Sequence, residues 1–573
     1  MRTQPQQPFT TAKQLTFFKT WNWLKYYHPD FATGQRQADS VFLEYQPQIT
    51  QAKTSKQLNQ TLQQLVNTLG KPTTPATTTA TTLPLLTDNL DTVWVYRDAN
   101  LSPALRKQLQ QVYDHRYQGD DHHYLPARNF DTEIPNEPIY QFADSLNLPI
   151  AHRMLALAKL QGTLDYLFPH KYLMDQPAQK IITQYIPQMI ACTSREQYET
   201  ILLKIGAAFN DSHTWDFYNQ MKHRRKIFRS QYLLPFDYTL INGQLYVTEL
   251  IATDQCRQAG ITPGDLITTV DGINLSARID TLATMLSASN RAHLEYRLGQ
   301  YNNYLLLPTN KPVIQLTVNN NGVTKQISLP LVQSKDTGAI RQLNQYFTRR
   351  ARPSAQGTGL VYPDSSMVYF NIHETFRLIE PIPDEKITAH LDSLFTRAEK
   401  AKGIIFDMRD YPDWGGFVHQ VYRYFGKDSA RYGRYYTVNK ENVGTYTYLD
   451  DNNTYFVPGI VPEGHSYKGQ VVIIVNPYTR SMSEWHTMVL QKLFPNSITI
   501  GEQSSGGDGD RKLINLPGNY EFPFTGNAIF YPDGTVAQRK GVRIDQPLQR
   551  NIADILAGRD TFLQKAIRLI KGQ

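Results

Sequence analysis

Residues 469–484 read Gly-Gln-Val-Val-Ile-Ile-Val-Asn-Pro-Tyr-Thr-Arg-Ser-Met-Ser-Glu. The unbroken β-branched run Val471-Val472-Ile473-Ile474-Val475 reads as a buried strand. A turn, 476–480, follows it. Beyond Ser481-Met482-Ser483-Glu484, the residues Trp485, Met488, Val489 and Leu493 fall on one face of a helix. A second strand, 497–500, leads into Gly501-Glu502-Gln503-Ser504-Ser505-Gly506-Gly507. The order strand, turn, serine, helix, strand puts Ser481 at a helix N-terminus beyond the carboxyl end of a strand. Backbone N–H groups there lack helical partners and can meet a developing oxyanion. Ser-x-x-Glu is also a capping box, so the same letters serve an ordinary helix start.

Outward from this stretch, a chain of 573 residues exceeds one core, and three or more domains are expected. With 40% hydrophobic and 19% charged residues, it has material for sizeable cores. Its 35 tyrosines, many beside Gln, Asn and Thr, suggest polar aromatic surfaces. The net charge of +8 is spread along the chain, and its densest cluster, Lys222-His223-Arg224-Arg225-Lys226, reads as a solvated loop. No nucleic-acid recognition motif accompanies it. Cys192 and Cys256 are too few and too far apart for a disulfide framework or a metal set. No apolar run reaches membrane-spanning length. The polar start, Met-Arg-Thr-Gln-Pro-Gln-Gln-Pro, is not a signal peptide, although a removed signal would leave the same start.

Taken in order, residues 1–70 read as a helical N-terminal domain. Leu15, Phe18, Trp21, Trp23 and Leu24 form one apolar face, with His28 packed at that helix's end, and a second helix follows at 55–69. Residues 71–86 are a Thr/Pro-rich linker. Residues 87–230 form a second, mainly helical region. It contains Asp120-Asp121-His122-His123, which is read as structural: adjacent histidines point apart and no second cluster lies in reach. Its last helix ends at Asn210-Asp211-Ser212-His213-Thr214, where a histidine can face a cleft.

Residues 232–333 change to strand patterns. The phrase Ala259-Gly-Ile-Thr-Pro-Gly-Asp-Leu-Ile-Thr-Thr-Val-Asp-Gly272 resembles the PDZ modules of bacterial proteases, which capture extended peptide ends by strand addition. A spacer domain is the plainer reading. A polar connector, 335–357, precedes an α/β rhythm over 358–573: strands at 367–372 and 403–409, helices at 384–401 and 417–425, a Tyr-rich insert at 429–467, the opening unit, further strands at 518–529 and a terminal helix at 560–571. The insert is expected to be a surface loop of this domain; lining a ligand groove is the other reading.

Four pieces in this order carry a family resemblance: Asn210-Asp-Ser-His-Thr214, the PDZ-like segment, Gly403-Ile-Ile-Phe-Asp-Met-Arg409 with Gly415-Gly416, and Ser481-x-x-Glu484 followed by Gly501-Glu502. Together they resemble the C-terminal-processing (tail-specific) serine peptidases, and within them the histidine-using, tricorn-like branch. The leader Trp21-Asn-Trp-Leu-Lys-Tyr-Tyr-His-Pro29 resembles multidomain members of the Bacteroidetes type. The resemblance implies a multidomain α/β (α+β) protein: helical N-terminal domains, a PDZ-like β domain and a crotonase/ClpP-like catalytic core.

It also implies a site. The lysine-using branch places a lysine after the Gly-Glu strand; here 503–510 contains none. The histidine branch fits Ser212-His213, with Ser481 as nucleophile and Ser483 as the competing choice. A serine hydroxyl needs a base within hydrogen-bond reach, and a neutral imidazole suits that task. The oxyanion would be met by N–H groups of Met482 and of Gly415 or Gly416. Where the branch places an orienting acid, three residues before Gly541, this chain has Gln538. Either Gln538 orients the network uncharged, or Asp211, Asp508 or another carboxylate does.

The resulting expectation is a serine peptidase acting on peptide or unfolded protein tails, with no cofactor, metal or nucleic acid. A cell-envelope, periplasmic or secreted location follows from the resemblance. The alternative is a catalytically inactive peptide-binding protein of the same fold, a reading that Gln538 motivates.

Overall fold

The computed structural model describes residues 9–77, 84–303, 305–350, 360–361, 363–364, 366–427, 432–449 and 461–572. Parts of the expected linker (78–83), connector (351–357) and Tyr-rich insert (429–431 and 450–460) lie outside these residues.

The chain divides into two compact units. The first comprises Met1–His223, Tyr435–Asp450 and Gly509–Ile529. Its helices are α1 (Phe9–Tyr27), α2 (Ala38–Gln51), α3 (Ser55–Asn67), α4 (Pro103–Asp114), α5 (Ile150–Gly162), α6 (Ala178–Ala191) and α7 (Arg195–Ala207). α1 is buried nearly all round, which makes it a central helix rather than an amphipathic surface one. Phe17 stacks on Phe42 of α2 at 4.7 Å, and Asn22 Nδ2 donates to the Ala158 carbonyl of α5 at 2.8 Å. The amino-terminal helices and those of 150–207 thus share one core. Lys25 and Lys159 are fully buried there among Asp39 and Glu137: Lys159 Nζ lies 2.8 Å from each carboxylate, and Lys25 pairs with Glu137.

Two distant segments complete this unit. The hairpin Arg511–Leu516/Tyr520–Thr525 packs on α7. The Tyr198 hydroxyl donates to the Pro517 carbonyl at 2.8 Å, and the Phe209 and Phe522 rings lie 5.2 Å apart. The Tyr-rich insert departs from the expected surface loop over residues 432–449, while 461–467 carry no regular structure. Arg434–Val438 pairs with Tyr446–Tyr448, which pairs with Leu85–Leu86, and Tyr435, Tyr436, Tyr446 and Tyr448 are buried. Aromatic area drives that burial, and the polar backbone is satisfied inside, as where the Tyr27 hydroxyl donates to the Val443 carbonyl.

The second unit comprises Arg224–Arg434, Asp451–Asp508 and Phe530–Gln573. Its first residues, Arg224–Ile227, form a single helical turn where a loop was expected. Next comes an antiparallel sheet in sequence order: β1 (Phe236–Ile241), β2 (Gln244–Leu250), β3 (Leu266–Val270), β4 (Val313–Asn320) and β5 (Val323–Pro330). Helix α8 (Arg291–Leu298) packs over β1, closely enough that a Cβ on Gly299 would stand 2.9 Å from the Leu240 nitrogen. The expected polar connector contains a helix, α9 (Thr337–Arg350). Only Leu343 and Tyr346 are buried on it, too thin an apolar stripe to read from sequence.

The remainder is a six-stranded sheet. Its centre is parallel, in the order β9 (Ile498–Gly501), β8 (Gln470–Val475), β7 (Gly403–Asp407) and β6 (Met367–Asn371). Gln546–Pro547 extends it in parallel beside β9, and Leu360–Val361 closes the other edge antiparallel. The crossovers are α10 (Ile387–Glu399), α11 (Gly416–Phe425) and α12 (Met482–Leu493), and α13 (Thr561–Lys571) closes the chain. One face buries Ile405, Val472, Ile474 and Ile500 against Phe562 and Ala566 of α13. The opposite face stacks Phe370 on Phe406, and Phe406 on Phe494. Gly501 is required by space: φ is +134°, and a Cβ would stand 1.9 Å from the Val475 carbonyl oxygen. That close approach lets the two strands stay paired where the chain turns off the sheet.

Candidate active site

The loops after β7 and β8 both leave the carboxyl edge of the parallel sheet, where open α/β sheets bind ligands. The second of them holds Ser481 at φ +50°, ψ −122°. A non-glycine residue there carries strain of roughly 1–3 kcal/mol, so its surroundings must enforce it. They do so from both sides. Asn476 Oδ1 accepts from the Tyr478 and Thr479 N–H groups at 2.8 and 3.1 Å, and Thr479 Oγ1 donates to the Met408 carbonyl at 2.7 Å. The Ser481 N–H donates to Glu484 Oε2 at 3.3 Å.

Glu484 is fully buried, and it also accepts from Ser504 Oγ at 2.6 Å and from the N–H groups of Gly506 and Gly507 at 2.7 and 2.9 Å. Burial raises its pKa to about 7 against those hydrogen bonds. One carboxylate therefore ties the Ser481 backbone to the 504–507 loop. Ser504 Oγ accepts in turn from the Val542 N–H at 2.8 Å, and a Cβ on Gly541 would stand 2.3 Å from it.

The two candidate serines differ. Ser483 is fully buried and its hydroxyl donates to the Met408 carbonyl at 3.0 Å, so it is committed to the main chain. Ser481 is half-buried. Met482 opens α12, and the position where a Cβ on Gly415 would stand lies 3.1 Å from the Met482 sulfur. Gly415 and Gly416 open α11, so the starts of two helices, each with N–H groups outside the helical ladder, lie side by side. The preceding loop is pinned by Asp413, which accepts from Thr375 Oγ1 at 2.8 Å and the Phe376 N–H at 3.1 Å.

His213 belongs to the first unit, in the single turn Ser212–Asp216 beyond α7. Its Nδ1 lies 2.8 Å from Thr525 Oγ1 on the hairpin. Thr525 Oγ1 donates to Asp211 Oδ1 at 2.7 Å, and the Thr525 N–H donates to Asp211 Oδ2 at 2.7 Å. A carboxylate only accepts, and the threonine hydroxyl has one proton. That proton goes to Asp211, so His213 Nδ1–H must donate to the hydroxyl. The basic lone pair of neutral His213 is thereby assigned to Nε2. Asp211 is fully buried and also accepts from the His213 N–H at 3.2 Å.

Of the other expected site residues, Ser212 is buried in the His213 turn, while Gln538 and Asp508 are buried in the second unit, which also holds Ser481. Thr525 was not foreseen: a threonine in Pro-Phe-Thr-Gly carries no local signal, and it lies 312 residues from His213. Elsewhere, His122 is buried with Nε2 3.2 Å from the Tyr26 carbonyl, and burial lowers its pKa to about 4. Among the described residues no group of three or more His, Cys, Asp or Glu side chains could hold a metal ion, and no helix is long and apolar enough to cross a membrane. Both cysteines are buried and free.

Residues 372–548, which include both loops and Ser481, match the family profile described as Peptidase family S41. No curated protein matches the chain. Among solved structures, mature CPAF complexed with lactacystin is 13% identical, with a TM-score of 0.51 over 74% of this chain and 99% of that one. Mature CPAF alone is 13% identical at a TM-score of 0.50, over 74% and 98% of the two chains. These likenesses concern the fold. A photosystem II D1 C-terminal processing protease also aligns, at 17% identity and a TM-score of 0.33 over 72% and 98% of the two chains. The S41 profile lies over the strand–turn–Ser481–helix unit, so the chain carries a Peptidase family S41 domain at residues 372–548 and is a serine-type peptidase.

Proposed function

We propose that Ser481 is the nucleophile and His213 its general base in the cleavage of peptide or unfolded protein tails. The observation that carries this is the enforced backbone of Ser481 beside two helix starts, at the carboxyl edge of the parallel sheet. Ser481 Oγ attacks the scissile carbonyl carbon as its proton passes to His213 Nε2. The oxyanion is met by the N–H of Met482 and that of Gly415 or Gly416. The C–N bond then breaks, and the amine leaves with the proton from His213. Water, deprotonated by the same nitrogen, hydrolyses the acyl-enzyme and restores Ser481.

The tautomer derived for His213 supports the base role. Asp211 supports it over the inactive, peptide-binding alternative, because a carboxylate reaches the imidazole through Thr525 whatever Gln538 does. Ser212 and Gln538 remain supporting residues in this reading. The antiparallel sheet β1–β5 would tether substrate tails as a PDZ-like module, and the setting would be the cell envelope or outside the cell.

The test is labelling with a fluorophosphonate probe, followed by peptide mapping. Labelling at Ser481 that is lost in His213→Ala is the expected result. An unlabelled wild type, under conditions that modify a known serine peptidase, would favour the binding-protein reading.

A further inference from the structure

Helix α8 lies in the small antiparallel domain, yet one of its faces grips the chain on both sides of Ser481. Asn290 caps the helix, its Oδ1 accepting from the His293 N–H at 2.9 Å. Its Nδ2 donates to the carbonyls of Ser504 at 2.8 Å, Ser505 at 3.1 Å and Arg539 at 3.3 Å. Three residues on, His293 is fully buried, and its Nδ1 lies 2.7 Å from the Pro477 carbonyl. A carbonyl accepts only, so Nδ1 carries the proton. Three residues further, Tyr296 stacks on Tyr478 at 5.3 Å and 27°. Residues spaced by three share a helix face.

The contacts fall on the two segments that set the Ser481 backbone. Pro477 and Tyr478 belong to the turn leading into Ser481. Ser504 and Ser505 belong to the loop whose hydroxyl and N–H groups converge on Glu484, the carboxylate that accepts from the Ser481 N–H. The strain at Ser481 must be held by fixed neighbours, and three of these contacts are polar with one partner buried. We propose that Asn290 and His293 are positioning residues for the nucleophile: the small β domain supplies part of the clamp that holds Ser481 in its strained conformation. This rests on Ser481 being the nucleophile. The two residues touch no substrate; they act through the 477–480 turn and the 504–507 loop.

Two variants separate this from mere folding. Asn290→Ser keeps a helix-capping oxygen but loses the amide donor. His293→Leu leaves the Pro477 carbonyl buried without its donor, while His293→Asn restores an N–H at nearly the position of Nδ1. The expected result is that His293→Leu and Asn290→Ser slow fluorophosphonate labelling of Ser481 about tenfold or more, lower kcat on a peptide with KM changed less than twofold, and quicken amide exchange in peptides covering 479–483 and 504–507. His293→Asn should recover most of the rate. If wild type labels at Ser481 and both folded variants label at its rate, the inference falls and the Ser481 assignment stands. If wild type itself is not labelled, the assignment fails and takes the inference with it. Should His293→Leu lose its thermal transition, Asn290→Ser decides by the same measurements.

Discussion

The Thr525 hydroxyl oxygen lies 2.8 Å from Nδ1 of His213 and 2.7 Å from Oδ1 of Asp211. This is a carboxylate–hydroxyl–imidazole chain, with the ring Nδ1 itself 3.9 Å from Asp211 Oδ1. It places the imidazole proton on Nδ1, and in the proposed mechanism it would couple an imidazolium at His213 to a buried acid through one intervening group. Thr525→Val keeps the shape and removes that link. The expected outcome is a fall in kcat on the order of 10²-fold with the fold intact, and Thr525→Ser recovers most of it. Steady-state kinetics on the two variants checks this.

Ser483 and Ser481 occupy the same motif but different chemistry. Ser483→Ala removes a buried hydroxyl that donates to Met408, leaving that carbonyl one donor fewer. It should lower stability by about 1–3 kcal/mol and leave fluorophosphonate labelling in place. Ser481→Ala should abolish both labelling and cleavage with little change in stability. Thermal melts paired with probe labelling distinguish the two. Loss of labelling in Ser483→Ala with an unchanged melting temperature would reverse the assignment.

How far the letters alone reach is visible at these residues. The central strands were legible because Val471–Val475 and Gly403–Asp407 are apolar runs of strand length; that they pair in parallel was not. The helix start after Ser481 was legible from Ser-x-x-Glu. The letters favoured Ser481 over Ser483 through the resemblance alone; that the Ser483 hydroxyl is taken up by the Met408 carbonyl, 75 residues away, they did not reveal. The partner of His213 was out of reach for the same reason: Thr525 sits on a hairpin that belongs, through Tyr198, Phe209 and Phe217, to the helical unit. A candidate site assembled from distant segments leaves no local spacing to read. The Tyr-rich insert misled because tyrosine suits both a surface and a core, and only strand pairing with 85–86 showed which.

The buried charges of the helical unit carry their own test. Lys159 stands 2.8 Å from both Asp39 and Glu137, all three shielded from solvent. Lys159→Met keeps the volume and leaves Asp39 without its cation. The expected cost is about 3–5 kcal/mol, because the uncompensated carboxylate stays buried. Urea unfolding followed by tryptophan fluorescence reports it: Trp21, Trp23, Trp94 and Trp215 all lie in this unit.

Glu484 makes stability depend on pH in a definite direction. Burial raises its carboxyl from the ordinary value of 4.5 to about 7 in the folded protein. Between those values the folded state binds the proton that the unfolded chain has released. The contribution of Glu484 is therefore fully present below pH 4.5, declines as pH rises, and is gone above pH 7; the difference is on the order of 3 kcal/mol. The ionised form is still the better acceptor for the Ser481, Ser504, Gly506 and Gly507 donors, so the clamp on Ser481 tightens as the stability term fades. Glu484→Gln abolishes the titration and turns an amide N–H toward donors, so it should lose both the pH-dependent component and most labelling of Ser481. Denaturant midpoints at pH 5 and pH 8 for wild type and Glu484→Gln give the comparison. A wild-type pH dependence that persists unchanged in the variant would show that another group titrates.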